Sequence, residues 1–349
     1  GAISAMNAVN RLNRPAYFIP DPWTRTPSDP SWWSRRLTEA ISQAVNDNAQ
    51  ARITLRNAAV LLLGLARYAR PRNYLWYLKL ALRSRGAPWR KALFLDLFLH
   101  DLHLRLFRSR RPAFSTLFVN AGAHIQHHYF FNARPVRGNT GLRNPGWYIA
   151  PEEDPVAEML AVYDRVVGDY LRLNGTELLV ATGLSQKPYD RVKIYYRLKN
   201  HGEFLNRLGI RYQSVLPRMT RDFLIEFESS DAALRAQRVL ESAVVDDGER
   251  LFGDIDNRGS SLFVTLTYPH ELGHATQVTC GDTRLPLEPH VTFVAVKNGM
   301  HQAEGFAFFS SGISPHAPEE RSHVCSLYRS IIAHFGLGKR VDRATEAIP

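Results

Sequence analysis

The sequence predicts an α/β fold, a sheet core flanked by helices with a helical insertion serving as a cap, and three observations carry that expectation. Short apolar runs ending in small residues, AFSTLFVNAG (113–122) and GTELLVATGL (175–184), read as strands. Residues 155–173 between them have the apolar spacing of an amphipathic helix, giving the strand–helix–strand alternation of a parallel sheet. Residues 31–110 read as helices, with ITLRNAAVLLLGLARYAR and WRKALFLDLFLHDLHLRLF separated by the breaker Gly86-Ala87-Pro88.

Taken in order, the first thirty residues have turn chemistry but no evident first element, and end in YFIPDPW and TRTPSDP. They read as the middle of a domain, which predicts a first strand before Gly1. The expected division is 1–30 as the N-terminal part of the core, 31–110 as a basic helical cap, and 111–349 as the main core. From 198 to 250 a helix, the strand DFLIEF and the helix SDAALRAQRVLES follow one another. SLFVTLTYP, HVTFVAV and GFAFFSSG are further strands, and SHVCSLYRSIIAHFG is a closing helix stopped by Gly336. No internal repeat or low-complexity tract interrupts this order.

A chain of 349 residues, 45% hydrophobic and 11% aromatic, can bury a sizeable core, which excludes wholesale disorder. The longest apolar run, AAVLLLGLA (58–66), is too short to span a bilayer and sits between arginines. No secretory signal is visible, and Cys280 and Cys325 lack metal-type spacing, so a cytoplasmic protein with reduced thiols is expected. The net charge of +11 is concentrated in SRRL, RYARPR, RSRGAPWRK and RLFRSRRP, between residues 34 and 112. That excess favours an anionic partner: a phosphate-bearing small molecule, nucleic acid or an acidic lipid surface. No strong nucleic-acid motif accompanies it, and a solvated basic face is the plainer reading.

Chemistry-bearing residues cluster in STLFVNAGAHIQHHYFFNARP (115–135). If AHIQHHY is helical, His124, His127 and His128 share one face. Three neutral imidazoles there are either metal ligands or a hydrogen-bonded patch of core. A second candidate is AVKNGMHQAEGFAFFSSGIS (295–314), where His301 is expected in a Gly-x-His turn between two strands.

Gly-x-His-x-x-acid-Gly followed by a strand and Ser-Gly-Ile resembles the metal-ligand loop of the alkaline phosphatase superfamily, in its phosphodiesterase and nucleotide-pyrophosphatase branch. AHIQHHYF resembles that branch's Asp-x-x-Gln-His segment, and LYRSIIAHFGLG its closing helix, so the resemblance spans residues 113–337. It implies an alkaline phosphatase-like sheet core and metal-assisted hydrolysis or transfer at a phosphate or sulfate ester. By position, one metal ion would take Ala123, His127 and His301, but alanine cannot bind it, so His124 would replace the missing aspartate. The second ion's ligands would fall on Gly183, Leu184 and Ser185, which supply neither carboxylate nor imidazole. The resemblance therefore implies one divalent ion, zinc, held by His124, His127 and His301, whose rings must then converge. His128 would act as general acid or base, and Gln126, Ser185, Lys297 and Asn298 would contact an anionic substrate. The missing carboxylates favour an alternative, a degenerate member that only binds or scaffolds, which the retained histidines oppose.

Two further motifs carry alternatives. PHELGHATQ contains a complete HExxH, His270-Glu271-Leu272-Gly273-His274, the zinc-protease arrangement when it lies on an established helix. Pro269 and the strand before it leave room for at most two helical turns, and the third ligand would have to be Glu288, His290 or Glu304. On ALFLDLFLHDLHLRLF, Asp96, His100 and His103 project within about 60° of one another, while Asp101, Arg105 and Arg108 occupy a separate polar face. A polar stripe among leucines needs partners. It is either a network between helices or a support for the histidine cluster, with Asp96 orienting an imidazole.

Overall fold

The computed structural model describes residues 1–46, 53–218 and 221–337. Strand β1 (Ala2–Ala5) pairs in parallel with β2 (Phe18–Pro20), Ala2 lying opposite Phe18. The residues in which no first element was expected thus form a strand, with Ile3 and Ile19 fully buried. Four residues are too few for a period-2 pattern to register, so pairing on both edges defines this strand where propensity does not.

Among the described residues four α-helices follow: α1 (Trp32–Asn46), α2 (Leu55–Tyr68), α3 (Tyr74–Leu82) and α4 (Pro88–Arg110). The Thr54 hydroxyl caps α2 by accepting from the Asn57 N–H. Gly64 lets α2 approach α1 closely, since a Cβ there would stand 2.9 Å from a Leu37 methyl. Pro88 occupies the first turn of α4, where no N–H is needed, and Arg111 ends that helix in the left-handed region. Strand β3 (Thr116–Leu117) then pairs in parallel with β1, which becomes the centre of a three-stranded sheet.

Beyond β3 come α5 (Ala121–Tyr129), α6 (Arg134–Thr140), α7 (Pro155–Leu171), β4 (Leu179–Ala181) and the long β5 (Ser185–Leu198). Next are α8 (His201–Arg207), β6 (Ser214–Pro217), β7 (Asp222–Glu226), α9 (Ser230–Glu241), β8 (Val244–Val245) and β9 (Asp256–Asn257). The order closes with β10 (Ser261–Thr265), β11 (Gln277–Cys280), β12 (Thr283–Pro286), β13 (Val291–Gln302), β14 (Ala307–Phe309) and α10 (Ser326–His334).

The protein is therefore of mixed α/β class, built on several small sheets. The parallel alternation expected across 113–184 does not form. β3 joins β1, whereas β4 pairs antiparallel with β14, Val180 opposite Phe308. Apolar runs of this length fix neither a partner nor a direction, and only two residues of the first and three of the second are extended.

Two compact units divide the chain. The first comprises Gly1–Gln126, Asp154–Gln186 and the chain from His301, with the parallel sheet and α1–α4. Among its fully buried side chains are Leu37, Leu93, Leu97 and Leu102. The second comprises His127–Glu153 and Lys187–Met300. Its core joins Ile194, Tyr196 and Leu198 of β5 to Phe204 of α8, Phe223 and Ile225 of β7, Leu240 of α9 and Leu262 and Val264 of β10. Its sheet β6-β7-β10-β9 is antiparallel, with Leu262 opposite Ile225. Among the described residues no helix is long and apolar enough to cross a membrane.

Candidate functional site

Helix α5 begins on a buried carboxylate. Asp96 Oδ1 accepts from the Asn120 N–H at 3.2 Å and Oδ2 from the Ala121 N–H at 2.8 Å, while the Tyr163 hydroxyl donates to Oδ2 at 2.7 Å. The Tyr163 oxygen in turn accepts from the Gly122 N–H at 2.8 Å. These groups satisfy free N–H donors of the first turn and set a carboxyl at the positive end of the helix dipole. Burial drives the Asp96 pKa up to about 6, and the Tyr163 and backbone donors restrain the rise. Asp96 thus holds the histidine-bearing helix by its backbone, rather than orienting an imidazole.

The helical spacing puts His124, His127 and His128 along one side of α5, as the sequence predicts. His127 donates its Nδ1–H to the Gly299 carbonyl at 3.0 Å, and His128 its Nδ1–H to the Val296 carbonyl at 3.4 Å. In a neutral ring that assignment leaves the lone pair on Nε2. The two ring centroids stand 6.3 Å apart, their planes tilted by 58°. His124 and Gln126 are half-buried on the same helix.

The other expected residues lie on β5 and β13. His301 is exposed and lies inside β13, not in a turn, because Gly299 stays extended and does not break the strand. Asn298, expected to hold an anion, is fully buried and hydrogen-bonded through both ends of its amide. Its Oδ1 accepts from the Phe131 N–H at 2.9 Å and from Asn144 Nδ2 at 2.8 Å, and its Nδ2 donates to Asn144 Oδ1 at 2.8 Å. It is a latch between β13 and the residues after α5. Lys297 is half-buried, its ammonium 5.7 Å from the Tyr195 ring centre, with the Arg221 guanidinium 3.8 Å from the same ring. Burial, then Arg221, lowers the Lys297 pKa. Ser185 opens β5 and is half-buried. Beside it Gln186, which sequence reasoning missed, donates from Nε2 to the Ala123 carbonyl at 3.1 Å. Its Oε1 is buried and meets no donor among the described residues, so that position suits a proton donor or a cation.

A metal centre needs at least three such ligands on one point. Among the described residues no group of three His, Cys, Asp or Glu side chains stands close enough to hold an ion. His127 belongs to the second unit and His124 and His301 to the first.

The HExxH segment is not a helix. Residues 270–276 are irregular, a bend at 270 and a turn at 274–275, because the Pro269 carbonyl is taken up by the Ile194 N–H at 2.8 Å and keeps the entry extended. His270 faces Glu249 at 3.8 Å and His274 faces Glu288 at 2.8 Å, both on the surface. The two histidines therefore lack the shared helical face that the protease arrangement needs.

The polar stripe on α4 is a network between helices. Arg70 donates from its backbone N–H to Asp101 Oδ2 at 2.9 Å and from Nε to Oδ1 at 2.6 Å, and Asn73 and Tyr77 complete that carboxylate at 2.7 and 2.9 Å. Asp101 is therefore fully buried, not part of an outer polar face, because α3 and the turn before it cover that side. Arg70 also pairs with Asp169 of α7, as does Arg72. Hydrogen bonds then run on: Arg70 Nη2 to His100 Nε2 at 2.9 Å, His100 Nδ1 to the Tyr170 oxygen at 3.2 Å, and the Tyr170 hydroxyl to His103 Nδ1 at 2.6 Å. His103 Nε2 donates to Ser115 Oγ at 2.8 Å, which meets the Tyr17 hydroxyl at 2.6 Å. His100 Nε2 also stands 2.9 Å from Asp169 Oδ2, so the Arg70 donor and the Asp169 acceptor compete for that ring nitrogen and its role follows the tautomer. Burial, then Arg70, lowers the His100 pKa from 6.5 to about 2. Burial, then the Gly1 ammonium, lowers that of His103 to about 3.

No family model, curated protein or solved structure matches this chain.

Proposed function

We propose that this chain binds phosphate-bearing anionic ligands on an alkaline phosphatase-like framework whose two-metal chemistry has been lost. The carrying observation is the pair of imidazoles on α5, each oriented by its Nδ1 contact with a carbonyl of β13, Gly299 or Val296. An Nε2 that takes up a proton on meeting a phosphate oxygen donates a charge-assisted hydrogen bond, roughly twice as strong as a neutral one. Lys297 and Arg221 add positive charge in the same unit. The absent carboxylate at Ala123 and the Gly183-Leu184-Ser185 stretch support binding over turnover.

A second reading, metal-assisted hydrolysis or transfer at a phosphate or sulfate ester, is favoured by the same contact. A metal-bound histidine characteristically donates its other ring N–H to a carbonyl, as His127 does. Calorimetric titration with p-nitrophenyl phosphate and its diester, with and without zinc, separates the two. Binding without release of nitrophenol, abolished in His127→Ala, is the expected result. Zinc-dependent release that both His127→Ala and His301→Ala remove would install the second reading, and neither binding nor release would discard both.

A further inference from the structure

We infer that α2 and α3 form a docking surface for an anionic lipid bilayer, an inference that stands apart from the ligand reading above. Both helices bury one face, α2 through Val60, Gly64 and Tyr68 and α3 through Tyr77 and Leu80, and both pack against α4. The opposite face of a water-facing helix is ordinarily polar. Here it is leucine. On α2, Leu55 is 91% exposed, and Leu62 and Leu63, seven and eight residues on, are more than half exposed. On α3, Leu75 is 79% and Leu82 73% exposed, with Leu78 between them also more than half exposed. The spacings of three, four and seven make each set a continuous stripe, and both stripes are turned away from the same supporting helix.

The charge around the stripes selects the occupant. From Ile53 to Gly86 the chain carries seven lysines and arginines and no aspartate or glutamate. Asp169 engages Arg70 and Arg72, which leaves Arg56, Arg67, Lys79, Arg83 and Arg85 exposed beside the leucines. Leucine stripes bordered by basic residues fit a surface with an apolar interior and negative headgroups. A second copy of this chain would bring the same positive face against itself, so charge opposes self-association there. The 14 residues of α2 make a helix of about 21 Å, short of the roughly 30 Å needed to span, so the helices would lie in the interface. Trp32 of α1, half-exposed and 5.9 Å from the Arg36 guanidinium, adds an aromatic suited to headgroup depth.

The test is co-sedimentation of the full chain with vesicles of phosphatidylcholine alone or mixed with phosphatidylglycerol. We expect retention on the anionic vesicles and at least about tenfold weaker partitioning for Leu75→Ser/Leu78→Ser. Arg83→Glu/Arg85→Glu should lower binding to the anionic vesicles only. All substituted positions are exposed, so Tm and elution volume should stay at wild-type values. Absence of binding to anionic vesicles, or binding unaffected by the leucine substitutions, would overturn the inference. An oligomer in light scattering that the same substitutions dissolve would overturn it too, by assigning the stripes to a second copy.

Discussion

Asp96 shows how much one side chain can carry. It receives two backbone donors from the start of α5 and the Tyr163 hydroxyl, while burial holds its pKa near 6. Asp96→Ala should therefore cost about 2–4 kcal/mol in urea unfolding, because several buried donors lose their acceptor at once. Asp96→Asn keeps the shape and one acceptor, and should cost less. A loss of under about 0.5 kcal/mol for the alanine variant would mean that the cap is not needed. Asn298 makes a comparable case in the second unit. Asn298→Ala would leave the buried Phe131 N–H and the Asn144 Oδ1 without their Asn298 partners, and should lower stability by about 2–3 kcal/mol. Were Asn298 instead an anion-holding residue on an open surface, stability would hardly change.

Among elements, α4 was the most legible in the sequence and still only half so. Its 3.6-residue spacing marks Asp96, His100 and His103 as a buried polar stripe, and they are buried. Their partners Asp169, Tyr170, Arg70 and Ser115 come from other segments, which no local period encodes. Asp101 was misplaced for the same reason: its helical angle set it among Arg105 and Arg108, but Arg70, Asn73 and Tyr77 close over it. Strand β5 was hidden by its own surface, since the outward Lys187, Tyr189, Arg191 and Lys193 dilute the apolar signal of Ile194, Tyr196 and Leu198. HExxH was legible as letters only, because Pro269, just outside the five-residue motif, fixes an extended entry. Two predictions belong here. Arg70→Met should cost about 3–5 kcal/mol, since Asp101 and Asp169 would be left as buried carboxylates short of their main counter-charge. His274→Ala, which breaks only a surface pair with Glu288, should leave Tm within error of the wild type.

At the scale of the whole molecule, these buried groups set how stability follows pH. His100 and His103 stay neutral in the fold to about pH 2 and 3, whereas the unfolded chain protonates both below about 6.5, so unfolding in acid takes up two protons. Asp96 opposes this: between about pH 4 and 6 it is protonated folded and ionised unfolded, so unfolding releases one proton. The histidines win. Stability should fall on acidification by about 1.4 kcal/mol per pH unit between 6 and 4 from these three groups, and about twice as steeply in Asp96→Asn. Urea midpoints measured across that range check the slope, and a flat profile in both proteins would show that the histidines titrate freely. The parallel sheet has a consequence of another kind. β1 lies between β2, close in sequence, and β3, more than a hundred residues further on. A ribosome adding about 5–20 residues per second delivers β3 roughly 6–23 seconds after β1. Through that interval the nascent chain holds a strand with one edge unsatisfied, while the helices between can already collapse on one another. Completion of this sheet therefore waits on translation of β3.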